Sequence, residues 1–189
     1  PLQGLPHVQY YISNRDETVA LFRELMTRLE DRAATMLEPP IVLVFDDLSQ
    51  FDDVGLRSEL TRLVTQGASR GLFVLAAGRT ADLQKWSDPE KALLRYRSGL
   101  FVGSKTVETE ASFFDVFLPT GLGREKLPTG RGYLVRQGEP HMLQVATPGG
   151  ADAVAALVAR IVAVADTAGG ATTIAGAGEN GAGGIKVAE

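Results

Sequence analysis

A chain of 189 residues, 44% hydrophobic and 22% charged, has ordinary globular composition and enough apolar material for one full core. Its net charge of -4 argues against a basic nucleic-acid surface on this piece, though other parts of a larger assembly could still handle DNA. The sequence has no cysteine, which rules out disulfides and thiolate metal sites, and His7 and His141 are too few for a zinc centre. No apolar run reaches the roughly 18 residues of a membrane span, and no signal peptide opens the chain. It begins at Pro1 in mid-stride, which suggests a piece of something longer.

The first strand is expected at His7 to Ile12, after the Gly4 and Pro6 punctuation. Asn14 with Glu17 three residues on has the form of a capping box. Phe22, Leu25, Met26, Leu29 and Ala33 then fall at helical spacing, with Arg23, Glu24, Arg28, Glu30 and Asp31 on a solvated face. Pro39-Pro40 stops the helix. Five apolar residues, Ile41 to Phe45, run without a break into Asp46 and Asp47. A continuous apolar run of this length reads as a strand buried on both faces, and ligands of open α/β sheets bind beyond the carboxyl ends of the strands. Strand, acid, acid is also the form of a Walker B strand, in which the first carboxylate supports Mg²⁺ and the second orients or deprotonates the attacking water. The plainer reading is an acidic strand end that caps the next helix.

A polar loop from Ser49 to Asp53 follows, with Asp52-Asp53 expected as the N-cap and first-turn charge of a helix carrying Leu56, Leu60, Leu63 and Val64 and ending at Gly67. Leu72 to Ala77 is a second buried strand, finishing at Gly78-Arg79-Thr80. Helical material is expected from Asp82 to Arg95, with Asp88-Pro89 as a start and Trp86 as a packing anchor. Leu100 to Val102 is a third strand, and a helix is expected from Thr106 to Phe117. The texture changes at the Gly/Pro turn Leu127 to Gly132, which leads into a hairpin of Tyr133–Arg136 and Met142–Ala146. A last helix, Ala151 to Ala165, stacks Val154, Leu157, Val158, Ile161 and Val162. Residues 169 to 184 read as a Gly/Ala-rich linker. Alternating strands and helices of this kind point to a parallel sheet with helices packed on it.

Five pieces in this order carry a resemblance: Gly4-Leu5-Pro6-His7-Val8; Ile41 to Asp47; Ser69 to Ala76 with Gly78-Arg79; Ser98 to Val102; and Leu127-Pro128-Thr129-Gly130-Arg131-Gly132. Over about residues 4 to 147 the chain resembles the C-terminal two-thirds of an FtsK/SpoIIIE-type (HerA/RecA-like) ATPase domain, and is most similar to the later EccC/EssC modules of type VII secretion motors. The resemblance implies a three-layer α/β fold over residues 1–168, with a mainly parallel sheet, helices on both faces and an antiparallel edge hairpin, followed by a tail at 169–189. It implies ATP and Mg²⁺ as cofactors of the parent protein, with Asp46 assisting the metal and Asp47 in the base position. Arg79 is implied as a sensor of the γ-phosphate, and Arg131 or Arg70 as an arginine finger across a subunit boundary. The implied partners are neighbouring modules of a hexameric ring and a cargo of DNA or secreted protein. The implied location is the cytoplasm, on a membrane-anchored parent.

Two departures bear on activity. No G-x-x-x-x-G-K-[ST] phosphate loop is present; Gly103-Ser104-Lys105-Thr106 has the wrong spacing and lies after the Walker B strand. The loop is therefore expected upstream of Pro1, or has been lost. The second departure is Asp47, which stands where hydrolysing relatives carry Glu and is shorter by one methylene. The alternatives are a non-hydrolytic docking or regulatory module on the same fold, and an unrelated α/β enzyme.

Overall fold

The computed structural model describes residues 5–32, 39–83, 87–103, 107–118, 127–146, 149–167 and 185–188. The chain divides into two units: residues 1–83 with 149–189, and residues 84–148.

In the first unit, strand β1 (Val8–Ile12) leads to Asn14, whose side chain accepts a hydrogen bond from the Glu17 backbone N–H at 2.9 Å. That cap starts helix α1 (Arg15–Asp31), with Asp16 and Glu17 in the first turn, where the helix dipole favours acids. Strand β2 (Ile41–Phe45) follows, then a short 3-10 turn (Leu48–Gln50) and helix α2 (Val54–Gly67), capped by the Asp53 side chain on the Leu56 N–H. Strand β3 (Leu72–Ala76) lies parallel to β2, with Ile41 opposite Leu72 and Phe45 opposite Ala76.

Alternate residues of β2 explain the packing. Ile41, Leu43 and Phe45 are fully buried, while Val42 and Val44 on the other face are only half-buried. Phe22 of α1 packs against Phe45, and the Leu72 side chain presses on Gly67 of α2, so both helices cover the same face. On the opposite face Phe73 and Leu75 are 48% and 61% exposed.

Two arginines tie the far end of these strands. Arg70 donates to the Leu29 carbonyl at 2.8 Å, closing the end of α1, and the buried Arg32 donates to Pro39 O at 2.7 Å and Arg70 O at 3.3 Å. Helix α5 (Ala151–Thr167) forms at the expected place, but none of residues 151–165 is buried, and Leu157 is 46% exposed. Strand β7 (Ile185–Ala188) completes the sheet in the order β1-β7-β2-β3, antiparallel to both β1 and β2.

The second unit holds helix α3 (Glu90–Leu94), strand β4 (Gly99–Val102), helix α4 (Val107–Phe113) and strands β5 (Arg131–Arg136) and β6 (Glu139–Gln144). Its sheet, β4-β5-β6, is antiparallel throughout. Gln137 and Gly138 both take positive φ in the two-residue hairpin turn, the form that matches strand twist. Phe101, Tyr133 and Val135 pack with Val107 and Ala111 of α4 into the core.

The α/β class stands, but the finer layout differs from expectation. Strands β1, β2 and β3 run the same way, yet only β2–β3 is a parallel pair, because β7 separates β1 from β2. Among the described residues no second helical layer covers Phe73 and Leu75. The expected edge hairpin forms, but with β4 it makes a separate sheet. Gly132 permits that pairing: a Cβ there would run into the Phe101 carbonyl oxygen, so glycine is what lets β4 lie against β5. Trp86 and Ser104 to Thr106 lie outside the described residues.

Candidate functional site

The β2–β3 ladder continues one residue past each strand: Ala77 N donates to Phe45 O at 2.9 Å, and Leu48 N to Ala77 O at 2.8 Å. These bonds hold Asp46 and Asp47 beside the exit Ala77-Gly78-Arg79, at the carboxyl end of two parallel strands. Because β1 runs the same way, the starts of α1 and α2 lie at this end too. There the Arg15 guanidinium bonds the Asp53 carboxylate at 2.8 Å, linking the first turn of α1 to the cap of α2.

Within this group the two aspartates differ. Asp46 is exposed. Asp47 is half-buried and committed to its own loop: Oδ1 accepts from Ser49 Oγ (2.6 Å) and Ser49 N (3.1 Å), and Oδ2 from Gln50 Nε2 (3.0 Å). The Ser49 hydroxyl foremost, then Gln50, and the charge of Arg79, hold the Asp47 carboxyl below the usual carboxylate range. Such a group stays ionised but is a weak proton acceptor. Arg79, 86% exposed, pairs with Asp82 at 2.5 Å rather than with Asp46 or Asp47. Sequence reading missed Ser49, Gln50 and Asp82 as partners. The Asp47-x-Ser49 spacing of an Asx turn was the available signal.

Neither of the other two arginines is among these residues. Arg70 sits at the opposite end of β3, engaged with the end of α1. Arg131 belongs to the second unit, half-buried in a turn where Gly130 takes φ +77° and Arg131 N donates to Pro128 O at 2.9 Å. Its guanidinium makes no ion pair with another described residue.

Asp53 is likewise held below its ordinary range, first by the Leu56 N–H and then by the Arg15 hydrogen bond. Both carboxyls ionise more readily folded than unfolded, so their contribution is complete above an unfolded value near 3.8 and is lost as pH falls through the lower folded values. Stability from these two groups is therefore expected to hold from pH 7 down to about 5 and to fall below about 4. Acid unfolding followed by circular dichroism checks this: Asp47→Asn and Asp53→Asn should each flatten the loss below about pH 4, and an unchanged acid limb in both would contradict it.

A Mg²⁺ ion keeps several waters and takes one or two carboxylates plus substrate phosphates. Asp46 fits as one such ligand. No group of three or more His, Cys, Asp or Glu among the described residues forms a self-contained metal site.

No protein-family profile and no curated protein matches the sequence. Among solved structures, EssC (ATPases 2 and 3) from Geobacillus thermodenitrificans is similar at TM-score 0.61 and 22% identity, covering 73% of this chain and 27% of that one. The cytoplasmic domain of EssC is similar at TM-score 0.50 and 23% identity, covering 70% of this chain and 27% of its own. The chain thus spans about a quarter of the length of these structures and shares the mixed α/β fold of part of the EssC ATPase domains.

Proposed function

We propose that this chain is part of a motor ATPase module of the type VII secretion kind, in which Asp46 assists a Mg²⁺ bound to ATP. The observation that carries the reading is the Asp46-Asp47 pair held beside the Gly78-Arg79 strand end, at the end of the sheet where α/β proteins bind ligands. The phosphate-gripping element is contributed by residues other than these, since no phosphate loop occurs in the sequence. The outer edge of β3, which pairs with no further strand among the described residues, and the exposed Phe73 and Leu75 beside it support a further strand docking there. Arg79 senses the γ-phosphate after exchanging its Asp82 partner, and Arg131 or Arg70 acts across a subunit boundary of a hexameric ring. The module works in the cytoplasm on a membrane-anchored protein and moves DNA or secreted protein. No helix among the described residues is long and apolar enough to cross a membrane.

One observation favours a second reading, a non-hydrolytic docking module: both Asp47 oxygens are occupied within its own loop, leaving the base position weak. Mg·ATP binding and turnover by the full-length polypeptide carrying this segment separate the two. The motor reading expects binding there, a fall in turnover of about 10²-fold on Asp46→Ala, and no turnover by the 189 residues alone. If the full-length polypeptide does not bind nucleotide, the motor reading fails and the docking module takes its place.

A further inference from the structure

We propose that the slot between β1 and β2 is a strand-acceptor site, which exchanges its own β7 for the β7 of a second copy of this chain. Strands β1, β2 and β3 all run one way, with α1 connecting β1 to β2 and α2 connecting β2 to β3. The remaining strand, β7, runs against them and is no part of that connection. It can leave without breaking the β1-α1-β2-α2-β3 path.

An empty slot is not a stable alternative. With β7 in place, β1 and β2 stand two strand spacings apart, about 9.6 Å. Removing it would strand a row of N–H and C=O groups on both neighbours, including β2 at the centre of the buried core. The slot therefore demands a replacement strand. Pairing of this kind is made by the main chain, so a strand is accepted on register and direction. The β7 of another copy satisfies both by identity: Val42 to Phe45 of β2 pair in unbroken order with Ala188 to Ile185.

Two features favour exchange over a permanent lock. The β1–β7 register breaks between Val8 and Tyr10, whereas the β2 side is regular, so opening starts at β1. Residues 168–184, with seven glycines in 17 positions, also give β7 a maximum reach of about 60 Å, enough to pass to a neighbour. Exchange of an identical element is a low-cost route to association. A tethered strand competes at an effective concentration of about millimolar, so the exchanged form grows with protein concentration.

The absence of cysteine makes the test direct. Tyr11 and Lys186 are Cα partners, and antiparallel partners lie about 4.5 to 5.5 Å apart, within disulfide span. Tyr11→Cys and Lys186→Cys on one chain should form an internal disulfide. Mixing the two single variants should give a disulfide between chains that rises from about 10 µM to 1 mM and exceeds, by about tenfold or more, that from Glu30→Cys mixed with Lys186→Cys. In the unmodified chain, sedimentation should show mass rising over the same range, and Val187→Pro should abolish the rise. An internal disulfide with no mixed product above the control would overturn the exchange. Neither disulfide, or a mass that stays at one chain, would overturn it equally.

Discussion

Phe45→Ala is expected to destabilise the first unit by about 3–5 kcal/mol, the range for truncating a buried aromatic. Phe45 is 2% exposed and meets Phe22 of α1 and Phe51 of the loop beyond Asp47, with ring centroids 6.5 and 5.4 Å away; Phe22 and Phe51 are themselves 5.9 Å apart. Removing one ring of this triangle leaves the other two facing a cavity and forfeits edge-to-face contacts as well as buried area. Against a typical stability of about 5–15 kcal/mol this is a large fraction. With a urea slope of about 1–3 kcal/mol/M, the midpoint should fall by 1 M or more. The substitution also reaches the site, because Phe45 immediately precedes Asp46 and its ring anchors the loop that positions Asp47. Phe73→Ala, on the opposite face of β3, is the comparison. Phe73 is half-exposed, and its loss should cost about 0.5 kcal/mol or less. If the two variants unfold at similar urea concentrations, the one-sided packing of this sheet is wrong.

The elements that sequence reading located are those set by local chemistry. Asn14 and Asp53 announce their helices because a short polar side chain is the natural partner for orphan N–H groups. Ile41 to Phe45 and Leu72 to Ala76 are marked by unbroken apolar runs, and their parallel pairing follows from the helix between them. Since parallel neighbours end on the same side, the Asp46-Asp47 and Gly78-Arg79 exits could be brought together on paper. What escaped was set by long-range competition. Nothing local tells β4 to pair with β5 rather than with the first sheet, although the bare backbone of Gly132 is what permits the close approach. Ile185 to Ala188 is a four-residue run whose place between β1 and β2 has no local signature. Nor does a strand-end position reveal that Arg79 is held by Asp82 and Asp47 by Ser49. Short-range hydrogen bonds closed those geometries first.

Gly132→Ala is expected to detach β4 from β5. The atoms that a Cβ would meet are the Phe101 carbonyl oxygen and, at 2.8 Å, the Val102 Cα, both backbone, so no side-chain rotation relieves the overlap. Overpacking a tight site costs about 1–3 kcal/mol, and more where backbone has to move. Here the backbone that has to move is the strand carrying Phe101, whose ring stacks on Phe114 and packs against Tyr133 in the second unit's core. A shift of β4 therefore withdraws a core aromatic as well as ladder hydrogen bonds. Gly103→Ala is the control: Gly103 has φ +66° and open space around it, so its cost is that of the left-handed backbone, about 1–2 kcal/mol. Amide exchange separates the two. Gly132→Ala should lose protection at Leu100 to Val102 and at their partners Gly132 to Leu134, whereas Gly103→Ala should keep both. Protection at β4 that survives Gly132→Ala would mean that the close approach of the two backbones is not what holds this sheet.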